Sequence, residues 1–406
     1  VRIVIIGAGQ AGMQVASSLR QNGFGGDLVL IGDEQQLPYQ RPPLSKAFIK
    51  RQVEPAGLLL RSAAALAEQR IDLLIDSRVT RIDRDAQLVQ TNDRTVGYDY
   101  LVMATGARAR NLQVPGSNLA GVMSLRSISD ALTFRSALEC AHQVAIVGGG
   151  FIGLEVAATA AAMGKSVTVI EGADRVMARA VAPLVSSWLE AMHSSMGTRI
   201  LKGHAVASLG GCSRVQSVRL TNGDEVRADL VLVGVGGVPN VEIAKDAGLE
   251  CPNGITVNEF GQTSDPRILA AGDCTLHPNR FAGGEFRLES VQNAIDQAKT
   301  VAGALLGDPK PYDSVPWFWS DQGSVKLQTT GLPIGTESYV TRGDPESGRF
   351  TVFHLKGGRV IAADSINSPA DHMCARRLVA ANHAVTAETL RDPNTDLKSL
   401  LLQKAA

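Results

Sequence analysis

Two glycine-rich turns, each placed directly after a run of strand-forming residues, constrain this chain more than anything else in it. Gly7-Ala8-Gly9-Gln10-Ala11-Gly12 follows the run Val1 to Ile6, and Gly148-Gly149-Gly150-Phe151-Ile152-Gly153 follows Gln143 to Val147. Each sits where a strand should become a helix. One glycine makes the turn, one lets a backbone approach a pyrophosphate, and one lets helix and strand pack closely. The helix start then offers unpaired N–H groups and a partial positive charge. Two such units imply two dinucleotides, and two dinucleotides in one chain imply electrons passing between them.

With 406 residues, 44% of them hydrophobic, the chain is long enough for several packed domains. Lys plus Arg and Asp plus Glu are both 40, so the net charge is zero. That balance argues against a nucleic-acid partner. No apolar run approaches the roughly 18 residues of a membrane span, so no membrane association is expected. The chain opens on a strand, so no leader is expected at its head. Its five cysteines, Cys140, Cys212, Cys251, Cys274 and Cys374, are scattered, with no CxxC pair. They read as reduced, mostly buried thiols of a cytoplasmic protein. The histidines show no HxxxH or HExxH spacing, and no metal site is expected.

Strands alternating with helices predict parallel α/β sheets. The first unit reads as strand, turn, helix (Ala11 to Asn22) and strand (Asp27 to Ile31). The second repeats it: strand, turn, helix (Gly153 to Met163) and strand (Ser166 to Ile170). Between them Ile71 to Ile82, Leu88 to Thr91 and Asp99 to Ala104 read as strands. After Pro316, alternating stretches such as Val325 to Thr329 and Phe350 to Leu355 predict a small antiparallel sheet. Helices at Ala370 to Ala381 and Leu397 to Gln403 are expected to follow. The fold class is therefore α/β, with two Rossmann-like dinucleotide-binding domains and a C-terminal α+β domain. The expected division is 1–108 with 241–315, then 109–240, then 316–406.

An acid closing the second strand of each unit should bind a ribose diol. In the second unit this is Glu171. Its carboxylate accepts from a 2′-hydroxyl and repels a 2′-phosphate, which favours NADH over NADPH, although Arg175 stands nearby. In the first unit Gly32 holds the equivalent position, and either Asp33 or Glu34 can serve.

The order GxGxxG, then Ala104-Thr105-Gly106, then GGGxIGxE, then Gly234-Val235-Gly236-Gly237-Val238-Pro239-Asn240, then Thr263 to Asp273 ending in Ala271-Gly272-Asp273, resembles the two-dinucleotide flavoprotein superfamily of glutathione reductase type. Pro38 to Lys46, Leu288 to Ala294 and Pro316 to Gln322 are similar to one subgroup, the ferredoxin reductases of oxygenase systems. The resemblance implies FAD in the first unit, at Gly7, Gly9, Ala11, Gly12, Asp33 or Glu34, Val79, Thr105, Gly106, Asp273 and Val291. Arg41 and Arg126 would neutralise its pyrophosphate, and Trp319 would cover the far side of the flavin. NADH belongs to the second unit, at Gly148, Gly150, Ile152, Gly153, Glu155, Glu171, Gly234 and Gly236. A Lys46–Glu155 ion pair is implied as the catalytic pair beside flavin N5, with Glu155 moving to admit nicotinamide.

Disulfide reductases of this superfamily carry CxxxxC after the first unit. This chain has no cysteine before Cys140 and offers Pro42 to Lys46 there instead. Electrons must therefore leave to an external acceptor, which the resemblance gives as a [2Fe-2S] ferredoxin serving a haem-thiolate monooxygenase or a Rieske dioxygenase. Lys50, Arg51, Arg61, Arg376 and Arg377 are candidates for its docking surface. A monomer or weak dimer is implied. The rival readings are a rubredoxin reductase, a monodehydroascorbate-type reductase, and a signalling protein akin to apoptosis-inducing factor.

Overall fold

Ile3 to Ile6 and Leu28 to Ile31 are buried, as strands covered on both faces require. In the computed structural model, which describes residues 1–400, these segments are neighbouring strands of a parallel sheet. Its order is Ile268–Ala270, Tyr100–Met103, Arg2–Ile6, Asp27–Ile31 and Asp72–Leu74. Helices Gln10–Gln21 and Val291–Leu305 pack on it through Val15, Ala16, Leu19, Ala298, Val301 and Ala302. The stretch Ile71 to Ile82 is two strands rather than one, Asp72–Leu74 and Val79–Asp83, which lie in different sheets. Asp76 at φ 52° marks the break between them.

These elements belong to one compact unit, residues Val1–Gln40, Pro55–Arg108 and Val238–Pro316. The second comprises Arg41–Glu54, Ala109–Gly237 and Trp317–Ala406, so the segment Arg41–Glu54, with Arg41 and Lys46, groups with the second unit although the segments on either side of it belong to the first.

The second unit repeats the parallel plan in the order Arg199–Lys202, Ser166–Glu171, Gln143–Val147, Leu230–Val233 and Val122–Met123. Helix Phe151–Ala162 follows its glycine turn. It begins two residues earlier than the expected Gly153, because Gly150 is already its N-cap. The unit also holds a five-stranded antiparallel sheet, ordered Trp317–Gln322, Val325–Gly331, Arg359–Ile366, Arg349–Lys356 and Ser338–Asp344. Helix Pro369–Ala380 packs against that sheet. The last expected helix is present over Leu397–Leu400, and positions 401–403 lie outside the described residues.

A buried carboxylate ties the antiparallel sheet to the start of helix Pro183–Ser195 within this unit. Asp364 Oδ2 accepts from His354 Nε2 at 2.8 Å and from the backbone N–H of Ala182 at 2.7 Å. Ala182 is the N-cap of helix Pro183–Ser195 and has no capping side chain of its own. Among the described residues no helix is long and apolar enough to cross a membrane, and no three His, Cys, Asp or Glu side chains are grouped so as to hold a metal ion.

Candidate functional site

In the first unit the glycines are fixed by close approaches. Gly7 has φ +108°, and a Cβ there would lie 2.1 Å from the Ala104 carbonyl oxygen. A Cβ on Gly12 would lie 1.9 Å from the Gly7 carbonyl oxygen. Side chains are excluded at both positions by the packing of strand, turn and helix. Gly9 is different: a Cβ there would meet nothing within 4 Å. It is the N-cap of helix Gln10–Gln21, with no capping side chain and no acid in the first turn.

The other motif residues gather around this turn. Thr105 follows the Ala104 that abuts Gly7. Gly32, just before Asp33 and Glu34, packs so closely that a Cβ would lie 2.7 Å from Ala8 Cβ. Gly272, just before Asp273, would place one 2.9 Å from Ala11 Cβ. Buried Gln297 locks that last turn, accepting from Gly272 N at 2.8 Å and Thr275 Oγ1 at 2.9 Å. Thr105 and Gly106 are latched to Asn240: Thr105 Oγ1 donates to the Asn240 carbonyl at 2.6 Å, and Asn240 Nδ2 and N donate back to Thr105 O and Gly106 O. Tyr39 donates its hydroxyl to Glu34, while Asp33 is exposed. Val291 opens helix Val291–Leu305 behind the Ser290 cap. Val79 packs against the core holding Ile6 and Ile31 rather than at the turn. Arg287, which the sequence does not single out, donates to Asp273 O at 3.3 Å, and its buried Nε has no partner.

The second unit repeats the design. A Cβ on Gly148 would lie 2.4 Å from Gly234 O, one on Gly153 would lie 2.1 Å from Gly148 O, and one on Gly150 would meet nothing within 4 Å. Ile152, on the first turn of the helix, is exposed. Gly236 has φ +101° and accepts from Arg110 N at 2.9 Å. Glu171 accepts from Gly149 N at 2.7 Å and from Ala173 N at 2.8 Å, so it braces the turn as well as closing the strand. Arg175 is turned to other work, its guanidinium donating to Val181 O, Ser186 Oγ and Ala178 O. Both turns thus combine two positions closed by backbone with one open glycine over an uncapped helix start. That arrangement fits a dinucleotide pyrophosphate.

Lys46 and Glu155 meet within the second unit. Lys46 Nζ lies 2.9 Å from Glu155 Oε1 and 3.3 Å from Asp321 Oδ2. Glu155 is buried on helix Phe151–Ala162 and accepts two further hydrogen bonds, from Ser45 Oγ and from Ser320 Oγ, the latter at 2.7 Å. Swinging Glu155 aside would break all three. Ser45 is held in turn by Thr159, whose hydroxyl donates to the Ser45 carbonyl at 3.1 Å. Ser45, Ser320 and Asp321 stand inside motifs noticed in the sequence, yet nothing there marks them as partners of this pair.

Arg41 Nη1 donates to the Arg126 carbonyl at 2.9 Å, so these two arginines are neighbours in the second unit. Trp319 stacks in an aromatic group with Trp317 and Phe318, with centroids 5.6 and 6.1 Å away. Of the docking candidates, Arg51 pairs with Glu139 at 2.6 Å and Arg376 lies 4.8 Å over the Trp317 ring. The thiol beside Asp273 is Cys274. It is fully buried, donates to Ala271 O and Met103 O, and has its pKa raised by burial. It is a protonated core thiol, not an exposed thiolate.

Residues 1–298 match the family of pyridine nucleotide-disulphide oxidoreductases, and residues 317–401 match the reductase C-terminal family. The chain is 45% identical to the rhodocoxin reductase of Rhodococcus erythropolis, over 98% of this chain and 93% of that protein. The ferredoxin reductase for the CYP199A2 system of Rhodopseudomonas palustris superposes with a TM-score of 0.96 at 44% identity, covering 98% of this chain and 99% of that one. The reductase in the covalent putidaredoxin reductase–putidaredoxin complex gives 0.94 at 38% identity, covering 99% and 98%.

Proposed function

The chain belongs to the pyridine nucleotide-disulphide oxidoreductase family, and from that membership we propose that it is an FAD-containing, NADH-dependent reductase of a [2Fe-2S] ferredoxin. The ferredoxin in turn supplies a haem-thiolate monooxygenase or a Rieske dioxygenase. The observation that carries this reading is the pair of open glycine cradles in a chain with no cysteine before Cys140. Electrons enter from a nucleotide and have no internal disulfide to reduce. The proteins it is similar to include, by their names, a ferredoxin reductase and a reductase captured with putidaredoxin, which supports an iron–sulfur acceptor.

When bound, FAD would supply chemistry that matches a two-electron hydride donor to a one-electron acceptor. The chain's own residues bind and orient. The uncapped N–H groups at the starts of helices Gln10–Gln21 and Phe151–Ala162 would receive the two pyrophosphates. Asp33 or Glu34 would hold the ribose of FAD, Asp273 its ribityl chain or pyrophosphate side, and Arg41 and Arg126 would neutralise the pyrophosphate. Glu171 takes the ribose diol of NADH, and Arg175, already bonded to carbonyls, is not free to favour a 2′-phosphate. Lys46 supplies a cation at the reaction centre, fixed by Glu155 and Asp321. We place the protein in the cytoplasm, a reading supported by its five unpaired cysteines.

The test is cytochrome c reduction by NADH with the purified yellow protein, with and without a panel of [2Fe-2S] ferredoxins and a rubredoxin. Strong stimulation by one ferredoxin is expected. Stimulation by rubredoxin alone, or by none of them, would overturn the assignment of the acceptor.

A further inference from the structure

Ser320 does not end at Glu155. Behind it a buried line of side chains runs through the second unit to a histidine on a different element. His193, in helix Pro183–Ser195, is fully buried, and its Nε2 lies 2.8 Å from Gln322 Oε1. Gln322 Nε2 donates to Ser320 Oγ at 3.3 Å, and Ser320 Oγ donates to Glu155 Oε1 at 2.7 Å. Gln322 and Ser320 share a face of strand Trp317–Gln322, two residues apart, and both are fully buried. None of these side chains is exposed to solvent.

We propose that His193, Gln322 and Ser320 are positioning residues, forming a one-way hydrogen-bond chain that orients Glu155 and, through it, Lys46 for hydride transfer; this rests on the functional reading above. Every bond in the chain points the same way. A neutral imidazole has one N–H. Here it is placed on Nε2 by the Gln322 acceptor, and Nδ1 is left without a partner. The glutamine receives at its oxygen and gives at its nitrogen, the serine receives at its oxygen and gives its proton, and the line ends on a carboxylate. Such a chain polarises each successive bond, and its last bond is charge-assisted. Burial lowers the His193 pKa, in keeping with a neutral ring.

The same glutamine is linked to the nucleotide turn through Met177. Its amide nitrogen also lies 3.8 Å from Met177 Sδ. Met177 is buried in the left-handed region, φ 52°, and its N–H donates to Gly149 O at 3.0 Å. Gln322 therefore stands between the ion pair and the glycine cradle, where a shift of one is felt by the other.

Two kinds of measurement test this. The first needs no turnover. In protein labelled with ¹⁵N-histidine, His193 should show the Nε2–H tautomer with a slowly exchanging proton. Ser320→Ala, which does not touch the histidine, should shift that resonance, and Gln322→Met should speed its exchange at least tenfold. An Nδ1–H tautomer, or a resonance indifferent to Ser320→Ala, would overturn the chain. The second is stopped-flow reduction of the bound flavin by NADH. Ser320→Ala should lower the limiting rate roughly tenfold, the worth of one hydrogen bond to a charged group, with NAD⁺ affinity by calorimetry within twofold of wild type. Ser320→Thr, which keeps the hydroxyl, should recover most of the rate. A wild-type rate in Ser320→Ala, no recovery in Ser320→Thr, or a loss confined to NAD⁺ affinity would remove these residues from a positioning role. If wild-type flavin is not reduced by NADH at all, the functional reading fails instead, and the NMR arm still decides whether the chain exists.

Discussion

Lys46 bridges two unlike carboxylates: Glu155 at 2.9 Å, whose side chain is 7% exposed, and Asp321 at 3.3 Å, whose side chain is 41% exposed. The two bonds differ in worth for that reason. A charge pair is screened where water reaches it and strong where it does not.

Lys46→Ala should therefore act mainly through Glu155, leaving a buried carboxylate without its cation. A loss of roughly 3 kcal/mol in folding stability is expected, with slowed flavin reduction. Asp321→Asn should change stability by less than about 1 kcal/mol. Urea unfolding and stopped flow on both variants check the contrast; equal effects would mean that the exposed partner matters as much as the buried one.

Glycine substitutions should separate folding from binding. Gly12→Ala and Gly153→Ala drive a Cβ to 1.9 and 2.1 Å from a carbonyl oxygen, so both should express poorly or melt early. Gly9→Ala and Gly150→Ala have open space at the new Cβ. They should fold normally, and the methyl should instead crowd the bound phosphates. Gly9→Ala is expected to lose FAD on dialysis, while Gly150→Ala should keep its yellow colour and bind NAD⁺ at least tenfold more weakly. Retention of full affinity in both would refute the cradle assignment.

Glu171→Arg should lower the preference for NADH over NADPH. It should also weaken both nucleotides, because Glu171 accepts from Gly149 N and Ala173 N and an arginine cannot. A variant with a reversed preference and undiminished NADPH efficiency would show that the bracing role is unimportant. An unchanged preference would place discrimination elsewhere.

His277 gives a pH signature. It is buried in the first unit, and burial pushes its pKa down from 6.5 to about 4. As pH falls, the unfolded chain takes the proton first. The stability tied to the neutral ring is whole above pH 6.5, is lost between there and about pH 4, and changes no further below. The full loss is roughly 3 kcal/mol. His277→Gln should flatten the stability profile over that window, as measured by urea unfolding at a series of pH values, and an unaltered slope would contradict the assignment.

The glycine turns were legible because their geometry leaves no substitute: Gly7, Gly12, Gly148 and Gly153 each stand against a carbonyl oxygen. The strands were legible from runs such as Ile3 to Ile6, which are apolar on both faces. Lys46 and Glu155 were found through a family resemblance and not through their own surroundings. What escaped the sequence was the support around them. Ser45 and Ser320 reach Glu155 across 110 and 165 residues, and a serine hydroxyl leaves no periodic trace. The same holds for Asn240 on Thr105 and for His193 on Gln322. The short helix Ala387–Arg391 also escaped, since its five residues are too few for an amphipathic pattern and only the Thr386 cap announces it.

The bond from Ala182 to Asp364 changes how the tail of the molecule should be treated at the bench. Cutting the chain at Pro316 would strip a buried amide of its acceptor at the head of a helix in the nucleotide-binding part, as well as removing a sheet. Shortened versions made to isolate coenzyme binding would then report on a damaged fold, and chimaeras that exchange the tail between related reductases would need to carry an acid at that position.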